Sequence, residues 1–145
     1  MSWFFFALGT AICWGMGYAL SEKTLHAGVS SSFFLSGIYV LSLPFYFLLT
    51  WKDNTFRTSL EILSDKHTLF ITLGAIAAYF FGNLFIMNAI SLKNATHANM
   101  IEITYPLFTV LFTYLLFRQI HLDWISALGG IMIICGTMLI IYKGI

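Results

Sequence analysis

The run Gly130-Ile131-Met132-Ile133-Ile134-Cys135-Gly136-Thr137-Met138-Leu139-Ile140-Ile141-Tyr142 decides the class of fold. It carries no charge and does not alternate polar with apolar side chains, so it does not read as a strand of a membrane barrel. Extended back to residue 123, it has the roughly 20 residues that a helix needs to cross the hydrocarbon core of a bilayer. Similar runs fill most of the chain. Of its 145 residues 59% are hydrophobic and 9% charged, with a mean hydropathy of +0.87. A soluble domain would have too few polar side chains to cover its surface, and lipid is the consistent solvent.

Hydropathy places five spanning helices at 3–20, 33–51, 68–91, 96–117 and 123–142. The joins at 21–32, 92–95 and 118–122 are short, so the helices they connect should be antiparallel neighbours. No basic residue precedes the first apolar run, and a removable signal peptide is not expected. The one long polar stretch, 52–67, places Phe56, Leu60 and Leu63 on one side of a short helix, with Thr58 and Glu61 at the spacing of a capping box. It reads as an amphipathic connector at the headgroups.

The formal net charge of +1 gives no electrostatic footprint for nucleic acid, and no nucleic-acid partner is expected. If the loops alternate sides, Lys52, Arg57, Lys66 and Arg118 lie with the N-terminus, while Lys23, Lys93 and Lys143 lie opposite. This favours a cytoplasmic N-terminus only slightly. Such balance suits either a fixed orientation with a weak bias or dual topology, in which copies insert both ways and make an inverted pair.

Glu102 is the strongest single signal, being the only acidic residue well inside an expected span. An ionised carboxylate in hydrocarbon costs at least ~2.5 kcal/mol on insertion scales, so it should face protein or water. At helical spacing it shares a side with Ala98, Asn99, Tyr105, Pro106, Thr109 and Thr113, a polar stripe suited to a cavity wall. Pro106, four residues on, has no N–H for the Glu102 carbonyl, which predicts a kink and brings a carboxylate and a free carbonyl together. That is a place for a proton or a cationic group, although a dipole contact or a bond to Asn99 would equally hold the acid without transport.

In the third span Tyr79, Asn83 and Asn88 can glue helices or line a path, and Gly74, Ala78 and Gly82 form a small-xxx-small face. In the first, Thr10, Trp14, Gly17 and Ser21 project to one side and suit either a path or a packing face. Gly129 and Gly136 lie a heptad apart and read as a packing or dimer seam. Trp3, Trp51, Trp124 and Tyr142 stand near span ends, where aromatic anchors belong. Cys13 and Cys135 read as buried thiols rather than a disulfide. The histidines His26, His67, His97 and His121 fall in or beside loops without metal-ligand spacing. No phosphate loop or activated nucleophile appears, so neither an enzyme nor a cofactor nor a metal is expected.

Several of these residues carry a resemblance. The stretch Cys13-Trp14-Gly15-Met16-Gly17-Tyr18 followed by Lys23 resembles the first helix of the EamA domain of the drug/metabolite transporter superfamily. So do Met87-Asn88-Ala89-Ile90 with the short turn to Ala95, then Ile103-Thr104-Tyr105-Pro106-Leu107-Phe108, then Gly129-Gly130 and Gly136. Arg118-Gln119 departs from the Gly-Glu pair that many such domains carry at the end of the fourth helix. The chain is also similar in size to the small multidrug resistance proteins, but those have four helices and an acid within the first, whereas Glu22 stands at the end of its span.

The resemblance implies an all-α integral membrane fold: one EamA-like domain over 1–145, a five-helix bundle forming half of a ten-helix inverted-repeat transporter. The other half would come from an antiparallel homodimer or a paralogous partner. The expected activity is alternating-access transport, as efflux across the inner membrane, of a small metabolite or amphipathic cation, with proton coupling as an option. Glu102 would be the ion site, and Asn99, Asn83, Tyr79, Trp14, Tyr105 and Thr109 would line the pathway. Alternatives are a non-transporting assembly subunit and a lipid-linked sugar flippase.

Overall fold

The computed structural model describes residues 2–119 and 123–144, with the side chains of 143 and 144 left aside. All regular structure in them is helical: α1 Ser2–His26, α2 Ser31–Lys52, α3 Phe56–Ile62, α4 Lys66–Leu92, α5 Ala95–Glu102, α6 Tyr105–Phe117 and α7 Trp124–Gly144. Five segments are long and apolar enough to span a membrane, and α5 with α6 makes the fourth, Ala95–Phe117. Their large apolar side chains point outward, Phe70 being 78% exposed and Leu41 79%, as lipid solvation permits and water would not. Trp3, Trp51, Trp124 and Tyr142 are all exposed near helix ends.

Helix ends follow local chemistry rather than hydropathy. α1 runs past the expected end at residue 20, because Ser21, Glu22 and Lys23 are polar but do not break a helix. It stops at Gly28, whose φ of 101° allows the N–H of Val29 to bond the Thr24 carbonyl and that of Gly28 the Leu25 carbonyl. This is the Schellman pattern of a glycine C-cap. α4 begins two residues before the expected 68, since Asp65 accepts both the backbone N–H and the hydroxyl of Thr68 at 2.8 Å. Asp123 caps α7 in the same way through the Ser126 N–H, at 2.7 Å.

The chain divides into two compact units, Met1–Glu22 with Leu92–Ile145, and Lys23–Ser91. In the second unit, Ser30 caps α2 by accepting from the Phe33 N–H, and Pro44 lies inside that helix. Phe47 and Phe56 meet edge to face, with ring centroids 5.9 Å apart, and so tie α3 to α2. The expected capping box of α3 is not formed. The helix starts at Phe56, Thr58 falls inside it, and Glu61 pairs with Arg57 one turn back at 3.1 Å.

In the first unit, α5 and α6 lie against α7 in antiparallel register. Thr137, buried, directs its hydroxyl to the Met100 carbonyl at 3.4 Å and to its own Ile133 carbonyl at 2.9 Å. Two turns nearer the α7 N-terminus, a Cβ at Gly130 would stand 3.0 Å from Leu107 Cδ2. The close approach therefore uses Gly130, whereas Gly129 and Gly136, the residues of the expected seam, have nothing within 4 Å of a Cβ. Gly74 and Gly82 are equally open. Cys13 and Cys135 are free and exposed rather than buried, because each falls on an outward face of its helix.

Candidate functional site

The site is built where α1 meets α5. Tyr18 and Glu22 stand one turn apart on α1 and therefore on one face. Glu22 Oε2 accepts the backbone N–H of Ala95 at 2.7 Å, at the first residue of α5. The Tyr18 hydroxyl donates to Glu102 Oε1 at 3.0 Å, at the last residue of α5. One face of α1 thus holds both ends of an eight-residue helix, about 12 Å long.

The start of α5 is satisfied twice over. Besides Glu22, Asn94 caps it by accepting from the His97 N–H at 2.8 Å, and its Oδ1 also lies 2.9 Å from His97 Nδ1. A carboxylate and an amide oxygen at this end complement the partial positive charge of the helix N-terminus.

The other end is less comfortable. Glu102 closes α5, where the helix dipole is unfavourable to a negative charge, so the dipole stabilisation allowed by the sequence does not come from α5. Its partner is Tyr18 rather than Asn99. The carboxylate is half-buried and stands about 10 Å along the fourth span from Ala95. Among the described residues, Tyr18 is its one hydrogen-bond donor, and no cation is paired with it.

Helicity is interrupted immediately after Glu102, at Ile103 and Thr104, before α6 resumes with Pro106 in its first turn. Pro106 has no N–H to return to the Glu102 carbonyl. The interruption satisfies other groups by tighter bonds: Thr104 N–H and hydroxyl both reach the Ile101 carbonyl, at 3.1 and 2.8 Å. The Leu107 N–H reaches the Thr104 carbonyl at 3.0 Å.

The polar stripe is consequently divided. Asn99 lines an open groove of about 500 Å³ between α5 and α7, with Thr96, Met100, Ile103, Gly136 and Thr137 among its walls. Glu102 faces α1 instead. Tyr105 is exposed, and Thr109 spends its hydroxyl on the Tyr105 carbonyl at 3.1 Å. Trp14 is half-exposed and reaches the site through Tyr18, its ring centroid lying 6.4 Å from the phenol. Tyr79 and Asn83 belong to the second unit, where the Asn83 amide donates to the Tyr79 carbonyl of its own helix at 2.8 Å.

Tyr18 is the residue that sequence reasoning did not single out. The signal was present: a phenol in the last turn of the expected first span, four residues after Trp14 and four before Glu22. Among the described residues, no group of three potential metal ligands gathers. His121 lies outside the described residues.

No curated protein and no solved structure is matched by this chain. The model of the EamA-like transporter family, a family of transporters typically without enzymatic activity, matches residues 1–142. Five membrane-spanning segments, the fourth broken beside a membrane-embedded acid, and a match over almost the whole chain lead to one conclusion: the chain belongs to the EamA-like transporter family.

Proposed function

We propose that residues 1–145 act as one EamA-like domain of an inner-membrane exporter that moves a small metabolite or amphipathic organic cation by alternating access. Glu102 is the cation or proton site. The observation that carries this reading is the state of that carboxylate: half-buried in a span, touched by one neutral donor and paired with no cation among the described residues. Holding an acid there is costly, and an ionisable group inside a span is a functional site by default.

The Pro106 interruption supports the same reading. Irregular backbone at membrane depth is tolerated where it lines a cavity or is covered by protein, and broken helices are where transporters place their ion sites. Asn99, Trp14, Tyr105 and Thr109 belong to the same unit as Glu102 and complete the pathway on that side.

The domain works with a second one in the opposite orientation, supplied by an antiparallel homodimer or a paralogous partner. The even distribution of Lys and Arg between the two sets of loops supports this. A competing reading, a non-transporting assembly subunit, is favoured by the Tyr18–Glu102 bond if that bond is permanent helix glue.

The test is accumulation of a panel of labelled organic cations and small metabolites in cells expressing the wild type, Glu102→Gln or neither. The reading expects at least one solute whose accumulation falls only with the wild type. Equal accumulation in all three, with both proteins present in the membrane, favours the assembly subunit.

A further inference from the structure

We infer that Tyr18 is a latch on Glu102: its hydroxyl holds the carboxylate until the cationic group of the solute displaces it. This deepens the proposed function and rests on it. Three observations support the assignment. The hydroxyl is, among the described residues, the only hydrogen-bond donor to the carboxylate. The bond joins two separate helices 84 residues apart in sequence, so breaking it frees one end of α5 from α1. The other end, at Ala95, stays held by Glu22 and Asn94.

The freed end adjoins the interruption at Ile103 and Thr104, where α5 and α6 are joined without continuous helical bonding. A solute arriving at Glu102 therefore does two things with one contact. It takes the carboxylate, and it releases from α1 the end of α5 that Thr137 still holds to α7 through the Met100 carbonyl. A neutral phenol suits this task better than a lysine or arginine would. It gives the carboxylate a partner, yet a charged solute outcompetes it, because a full positive charge facing a half-buried carboxylate adds Coulomb attraction that a neutral phenol lacks. The ring contact with Trp14 orients the phenol toward the carboxylate and keeps it within reach after displacement.

The consequence is measurable as competition. A latch that must open before binding lowers apparent affinity by the fraction of sites that are open. For one hydrogen bond to a charged group, removing it should tighten binding roughly ten- to a hundredfold. The probe is tetraphenylphosphonium, a permanently charged lipophilic cation, bound at equilibrium to purified wild type, Tyr18→Phe and Glu102→Gln. A parallel arm measures the rate at which dicyclohexylcarbodiimide labels Glu102, read by peptide mass spectrometry.

The latch predicts that Tyr18→Phe binds the cation more tightly by that factor and is labelled faster at Glu102, while Glu102→Gln binds little. Unchanged or weaker binding by Tyr18→Phe overturns the latch and makes Tyr18 a fixed tie or a ligand of the solute. If the wild type binds no cation, the reading of Glu102 as a cation site fails. The labelling arm then still decides on Tyr18, since equal labelling of wild type and Tyr18→Phe refutes the latch. Should Tyr18→Phe not fold, a 3-fluorotyrosine introduced at Tyr18 keeps the hydroxyl. Its fluorine resonance should move on adding the cation, and a fixed resonance in cation-saturated protein overturns the proposal.

Discussion

Replacing Glu22 by alanine should loosen α5 without touching Glu102. The Ala95 N–H is one of four at the start of α5 that no helical carbonyl can satisfy, and Glu22 Oε2 accepts it at 2.7 Å. Ala95 is only 6% exposed, so water replaces the lost acceptor poorly. Hydrogen bonds to a charged group contribute about 1.5–3 kcal/mol, and an abandoned buried donor costs about 1–3 kcal/mol. Glu22 is itself only half-buried, and Asn94 still serves the neighbouring His97 N–H, which places the net loss for Glu22→Ala near the lower end, about 1–2 kcal/mol.

Glu22→Gln keeps an oxygen at the same place and loses only the charge, so its loss should be about half as large. The assay is unfolding in mixed dodecylmaltoside and dodecylsulfate micelles, followed by circular dichroism and paired with hydrogen exchange of the 95–98 amides. The expected order of stability is wild type, Glu22→Gln, Glu22→Ala, with exchange at 95–98 accelerating in the same order. Equal stability and equal protection in all three would refute the claim that α1 holds the start of α5.

Three further outcomes follow from the geometry. Gly130→Leu should lose about 1–3 kcal/mol by forcing Leu107 away, whereas Gly129→Leu, one residue earlier and open, should keep or gain stability in the same micelle titration. Pro106→Ala restores an N–H for the Glu102 carbonyl, but proline is tolerated in the first turn of a helix, so stability should rise by no more than about 1 kcal/mol. It should also slow amide exchange around 103–107 and depress transport by stiffening the interruption; unaltered exchange would mean that another residue breaks the span.

Asp65 and Asp123 supply the third. The Asp65 carboxyl is held below its usual 3.8 by hydrogen bonds from the Thr68 backbone and hydroxyl, and that of Asp123 below 3.8 by bonds from the Ser126 side chain and backbone. A depressed folded value stabilises fully above the unfolded value and is lost as pH falls through the folded one. Wild type should therefore lose stability as the pH drops below 3.8, and the Asp65→Asn, Asp123→Asn double variant should lose less over that range.

Much of the architecture is legible in the sequence because the bilayer imposes it. A backbone in lipid must bond to itself, so a long apolar run such as 130–142 can hardly be anything but helix. Helix ends are less legible from hydropathy, which tracks lipid rather than hydrogen bonding. α1 continues through Ser21, Glu22 and Lys23 until Gly28 supplies a positive φ. α4 starts where Asp65 can cap it.

Of the site, Glu102 and Pro106 declare themselves, since an acid and a proline inside a span are each costly. Their surroundings do not. The helical wheel places Asn99 and Glu102 on one side, yet the first lines the α5–α7 groove and the second meets α1. Two neighbours three residues apart can point to different helices when each side of the wheel is packed. Tyr18 escapes for a related reason: its role depends on an α1 register against α5 that Glu22 and Ala95 fix, and that pairing spans 73 residues.

Uptake of tetraphenylphosphonium into proteoliposomes under an imposed proton gradient tests the central claim most directly. With wild-type protein, the gradient should drive uptake above that of protein-free vesicles, and Glu102→Gln should bring it down to the protein-free rate. Gradient-driven uptake that persists undiminished in Glu102→Gln would contradict the assignment of Glu102 as the site through which this chain moves its solute.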